Sequence, residues 1–148
     1  MNRDKESDAM GAKEKTVLLV GTDRWNLFAM KKVLEENGFQ TVLATSQAEL
    51  VAGAAIHPLL TILDVSFYHP SLMQQLRPLR EQSLPLLLIA KRLSSTDRMK
   101  ALADGFTEAL EKPIPLSLFV PVVSKLAGCT QTEPQADVSS SQQEDNGV

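Results

Sequence analysis

The chain of 148 residues has a single cysteine, Cys129, so it can form neither an internal disulfide framework nor a multi-cysteine metal site. It has only two histidines, His57 and His69, both in loop-like contexts with no second ligand at metal spacing, and this gives a zinc site no support. Aromatic residues make up 5%, with one tryptophan and one tyrosine. No apolar run approaches the ~20 residues of a membrane span. The first 15 residues are charged and lack the apolar core of a secretory signal, so a cytoplasmic address and no membrane association are expected. There is no basic excess either: the net charge of −3 argues against a nucleic-acid grip by bulk electrostatics.

What is present is the balance of a globular protein, with 43% hydrophobic and 22% charged residues. The acidity is local. Residues 130–148 carry Glu133, Asp137, Glu144 and Asp145 with no base, whereas 16–129 carry 11 basic and 10 acidic side chains. The tail is rich in Ser and Gln and has too little apolar surface to offset the entropy of ordering. Disordered segments are therefore expected at 1–15 and 130–148, flanking one folded unit at 16–129.

Within that unit short apolar runs alternate with amphipathic ones. Thr16-Val-Leu-Leu-Val20, Gln40–Ala44, Leu59–Leu63, Pro85–Ala90 and Thr107–Leu110 predict five strands. Helical periodicity or capping signals predict helices at Arg24–Asn37, Ser46–Ala55, Ser71–Glu81, Ser95–Asp104 and Pro115–Ala127. Pro78 should shorten or kink the third helix and Pro121 should trouble the fifth. In the fourth helix Met99, Leu102 and Ala103 are expected to face inward. Five strands alternating with five helices point to an α/β fold, a doubly wound five-stranded parallel sheet of flavodoxin-like topology. Ligands of such sheets bind at the carboxyl ends of the strands, near the reversal of strand order. This directs attention to Gly21-Thr22-Asp23, Asp64, Ala90-Lys91 and Glu111-Lys112-Pro113.

The order and spacing of Val-Leu-Leu-Val-Gly-Thr-Asp23, Leu-Glu-Glu-Asn-Gly-Phe, Ile-Leu-Asp64, Pro-Leu-Leu-Leu-Ile-Ala90, Ala-Leu-Ala-Asp-Gly105 and Glu-Lys112-Pro113 resemble a response-regulator receiver domain over about 16–127. In that family an aspartate ending the third strand accepts a phosphoryl group from a histidine kinase. Acids after the first strand hold Mg²⁺, a hydroxyl after the fourth strand and a lysine before a proline contact the phosphoryl group, and an aromatic on the fifth strand relays the change. The resemblance puts Asp64 at the acceptor position and Lys112 at the lysine position, and it implies a cis peptide before Pro113.

The match is partial. Gly21 and Thr22 stand where the acidic pair belongs, Ala90 where the hydroxyl belongs and Ala109 where the aromatic belongs. The departures fall in the catalytic and switching parts, the pattern of an atypical or pseudo-receiver. Asp23, the one acid left after the first strand, either reaches over the pocket or caps the following helix, and capping is favoured. Thr22 offers only a neutral oxygen. Mg²⁺ held by Asp23 and Asp64 is therefore expected to be weak, and no cofactor is required. Trp25 is expected to be a packing residue. Basic side chains cluster at Lys31-Lys32, at Arg77 with Arg80, and at Lys91, Arg92, Arg98 and Lys100. A solvated face is the usual explanation. The last cluster could instead dock a partner, being on the side that receivers use for recognition.

The leading expectation is a non-enzymatic, stand-alone module of two-component-type signalling that works by phosphorylation-independent binding to a signalling protein, either a histidine kinase or a downstream effector. The alternative is a conventional phosphoacceptor in a phosphorelay, with Asp64 phosphorylated by a histidine kinase. A flavodoxin-like small-molecule domain is disfavoured, because Val-Gly-Thr-Asp-Arg is no Gly-rich phosphate loop. Sequence gives neither the partner nor the oligomeric state.

Overall fold

A computed structural model describes residues 15–128. Cys129, the acidic tail and most of the N-terminal segment lie outside the described residues. The five strands are β1 (Thr16–Gly21), β2 (Gln40–Ala44), β3 (Leu60–Phe67), β4 (Leu86–Arg92) and β5 (Glu108–Glu111). The helices are α1 (Arg24–Glu36), α2 (Gln47–Ala54), the short α3 (Leu72–Gln75) and α4 (Arg77–Arg80), then α5 (Ser95–Asp104) and α6 (Leu116–Leu126). The strands form one parallel sheet in the order β2-β1-β3-β4-β5. The order reverses between β1 and β3, so the crevice at their carboxyl ends is the expected ligand position of a doubly wound sheet.

The strands read as continuous apolar runs because both faces of the sheet are covered. Alternate residues divide between two cores. Val17, Leu19, Ile62, Leu87 and Ile89 pack with Leu27 and Leu34 of α1 and with Phe119 and Val123 of α6. Leu18, Leu63, Leu88 and Ala109 pack on the other face with Leu50 of α2, Leu76, Leu79 and Ala101 of α5. Each fully buried leucine or phenylalanine stabilises the fold by about 2 kcal/mol.

The third predicted helix is broken in two. Leu76 leaves helical geometry (φ −95°, ψ 12°) and α4 begins at Arg77 with Pro78 in its first turn. A proline there needs no N–H partner, whereas in a continuous helix it would leave the carbonyl of Gln74 without a bond. Pro121 is tolerated within α6. Strand β3 runs on past Asp64 to Phe67, and β4 runs to Arg92, both farther than predicted.

The inward face of α5 also differs from expectation. Ala101 is its buried residue, whereas Met99 is 70% exposed and Leu102 and Ala103, also expected to face inward, are exposed too. The small Ala101 lets the helix lie close to the sheet, and polar groups on its inner edge bond specific partners. Arg98 donates from Nε to the carbonyl of Ala109 (3.1 Å) and from a guanidinium nitrogen to Glu108 (2.8 Å). The hydroxyl of Tyr68 donates to Asp104 at the helix end.

Candidate functional site

Asp64 lies near the end of β3, in register with Gly21 of β1 on one side and Ile89 of β4 on the other. Its side chain is only 4% exposed, against 30% for that of Lys112. Lys112 Nζ is 2.5 Å from Asp64 Oδ1. This oxygen is closed off from solvent, and the ammonium meets it as an ion pair without an aligned hydrogen bond. The other oxygen, Oδ2, accepts from Asn26 Nδ2 at 3.2 Å. Lys112 is held by its own backbone, whose N–H donates to the carbonyl of Ala90 (2.9 Å), and the peptide bond to Pro113 is cis.

Asp23 is the N-cap of α1. Its Oδ1 accepts from the backbone N–H groups of Trp25 (3.0 Å) and Asn26 (3.3 Å). It forms no hydrogen bond or ion pair with Asp64 or Lys112, but it fixes the turn that presents Asn26 to Asp64. Sequence reasoning passed over Asn26, and the available signal was its position three residues after a capping aspartate, on the first turn over the strand ends. Trp25, expected to pack, is 81% exposed and meets the edge of Phe28 with ring centroids 6.4 Å apart. The first turn points its indole outward, away from both cores.

Gly21 is more than a missing acid. A Cβ at this position would lie 3.0 Å from the Asp64 carbonyl oxygen and 3.3 Å from Leu27 Cδ2, so β1 and β3 approach more closely than a side chain there easily permits. Thr22 is exposed and lines the cleft above Asp64. Ala90 and Ala109 are buried, without a hydroxyl or an aromatic ring at these positions. Arg98 bonds the Ala109 backbone instead, so β5 is tied to α5 by a guanidinium. Partial burial pushes the Glu108 carboxyl up, but hydrogen bonds from Arg98 and the Ala109 N–H outweigh this and hold it below the ordinary carboxylate range.

The basic cluster is divided by the fold. Lys91 and Arg92 line the cleft with Asp64 and Lys112, Arg98 is engaged on β5, and Lys100 is exposed on α5 beside Met99. His69 Nδ1 is 2.5 Å from the Ser71 hydroxyl, and no group of three metal-ligating side chains occurs among the described residues. No helix among them is long and apolar enough to cross a membrane.

Among solved structures, the chain matches receiver domains. The receiver domain of a Francisella response regulator is 21% identical with a TM-score of 0.64, the match covering 78% of this chain and 98% of that one. A chemotaxis protein of Vibrio cholerae is 21% identical with a TM-score of 0.64, covering 75% and 97%. The receiver domain of a Pseudomonas aeruginosa sensor histidine kinase, solved with magnesium coordinated in its active-site cleft, is 18% identical with a TM-score of 0.63, covering 77% and 98%. No protein-family model matches the sequence, and no curated protein does. The chain has the receiver fold.

The residues around Asp64 do not fit a magnesium ion. That ion needs several oxygen donors in near-octahedral array. Here one oxygen of Asp64 faces an ammonium and the other an amide, Asp23 is occupied as a cap, and Gly21 offers nothing. A cation entering would meet a single carboxylate whose charge the Lys112 ammonium already offsets, and that ammonium would repel it.

Proposed function

We propose that this protein is an atypical receiver module of two-component-type signalling that binds a partner protein without phosphorylation of Asp64. The observation that carries the reading is the Lys112–Asp64–Asn26 arrangement, in which both oxygens of the acceptor-position carboxylate are engaged. An in-line phosphoryl transfer needs a metal cation to neutralise developing charge, and with Gly21 and Thr22 beside Asp64 the donor set gives such a cation no second carboxylate. The alanines at 90 and 109 supply no hydroxyl or aromatic relay from the pocket to α5.

Contact with a partner, a histidine kinase or a downstream effector, is assigned to the outer face of α5. There Met99 and Leu102 are exposed apolar groups beside the exposed ammonium of Lys100. An exposed apolar pair with an adjacent charge suits a small recognition patch. Arg98, committed to Glu108 and Ala109, serves the fold more than the face.

The test is partner capture by wild type and Asp64→Asn, each with and without acetyl phosphate and Mg²⁺. Equal recovery in all four conditions is expected. Recovery that depends on the phosphodonor, and on Asp64, would establish the conventional phosphorelay reading instead.

A further inference from the structure

The cleft above Asp64 carries a charge pattern that partner binding does not use. Of its acids, Asp64 meets Lys112 and Asn26, and Asp23 accepts through Oδ1 from the first turn of α1 while keeping its charge. Its other cations are not answered. Lys91 and Arg92, at the end of β4, line the same cleft, are exposed, and form no ion pair or side-chain hydrogen bond among the described residues. The exposed hydroxyls of Thr22 and Ser66 line it too and likewise form no side-chain hydrogen bond among the described residues.

Among the lining residues three cations stand against two carboxylates, and the excess sits at Lys91 and Arg92, with the Glu111 carboxylate held on the Leu93 N–H (3.0 Å) beyond them. Two neighbouring like charges in a concave surface repel each other and raise the local potential for anions. Arginine adds a planar fork that matches the oxygens of a phosphate, and the hydroxyls add neutral donors.

The volume is about 810 Å³, within the range of small-molecule sites and larger than one phosphate fills. Thr22, Asp64, Val65 and Ser66 also line a second cleft of about 470 Å³ with Gln47, His69 and the exposed ring of Phe67, and Phe67 is in register with Arg92 on the neighbouring strand.

We infer that this groove reversibly binds a small diphosphate ester, without a metal. The phosphates sit on Lys91 and Arg92 and accept from Thr22 and Ser66, and the organic part lies along Phe67. This site is independent of the partner-binding reading. Acetyl phosphate with Mg²⁺ tests covalent chemistry at Asp64, whereas a titration under chelation tests reversible binding at Lys91 and Arg92.

The experiment is calorimetric titration of the full chain in EDTA with pyrophosphate, ADP and citrate. Saturable binding is expected for ADP, with pyrophosphate weaker and citrate weaker again. Lys91→Ala with Arg92→Ala should weaken ADP about tenfold or more, since each removes a charge-assisted bond. Phe67→Ser should weaken ADP and leave pyrophosphate unchanged. Lys100→Ala should change neither. Circular dichroism checks that each variant is folded, and all four altered positions are exposed. The inference is overturned by any of three results: no saturable ADP binding, undiminished binding in the folded double variant, or citrate binding as tightly as pyrophosphate.

Discussion

The ammonium of Lys112 and the buried carboxylate of Asp64 lie 2.5 Å apart, bridging the end of β3 and the segment after β5. Removing the lysine leaves a buried charge with only the Asn26 amide for company, whereas removing the charge from Asp64 leaves a lysine that can turn to solvent. Lys112→Ala should therefore destabilise the domain by about 1–3 kcal/mol, softened by the partial exposure of the site, and Asp64→Asn should be close to neutral. Urea unfolding of the two variants measures the difference. Equal losses would show that the pair contributes only through packing.

Asp23 acts on the pocket through backbone rather than through its charge. Asp23→Ala should lower stability by about 1 kcal/mol through the lost cap of α1, and Asp23→Ser should recover most of it. The side-chain amide resonance of Asn26 should shift in the alanine variant, because the turn that places it against Asp64 is no longer fixed.

Tyr68 is the only tyrosine of the chain, so its titration can be followed without overlap from another. Burial, followed by the hydrogen bond to Asp104 and the repulsion of that carboxylate, raises its pKa well above the ordinary value of about 10. Because the folded-state pKa is the raised one, the stability linked to neutral Tyr68 is complete below about pH 10 and is lost as pH climbs toward the folded-state value. Tyrosinate absorbance in the native protein should lag behind that of the unfolded chain. Asp104→Asn should narrow the gap without closing it, since burial remains.

Met99→Ser with Lys100→Glu should weaken capture of the partner and leave the urea midpoint nearly unchanged, as both positions are exposed. Arg98→Ala is the contrasting variant: it should reduce stability by breaking the ties to Glu108 and Ala109. Undiminished capture by the folded double variant would move the docking site off α5.

The α/β layering was legible because both-face burial writes itself as unbroken apolar strands such as Leu86–Ala90, and the Leu63-Asp64 and Lys112-Pro113 pairs marked the crevice. Three features were not legible. Met99 looked inward because periodicity counts apolar residues, whereas the packing of α5 turned on the small Ala101 and on polar anchors at Arg98 and Asp104. Asn26 carries no motif, and its role appears only when the Asp23 cap sets the first turn over the strand ends. The bearing of Gly21 lay in the 3.0 Å approach to Asp64 that a Cβ would have to make, a spacing invisible in one dimension.

The measurement that bears most directly on the central claim is phosphorylation itself. The protein is incubated with acetyl phosphate or beryllofluoride and Mg²⁺, with Asp64→Asn as control, and followed by intact mass and amide chemical shifts. The arrangement around Asp64 predicts no stoichiometric adduct and no shift changes beyond the cleft. A stoichiometric adduct at Asp64, with shifts spreading to α5 and β5, would contradict it.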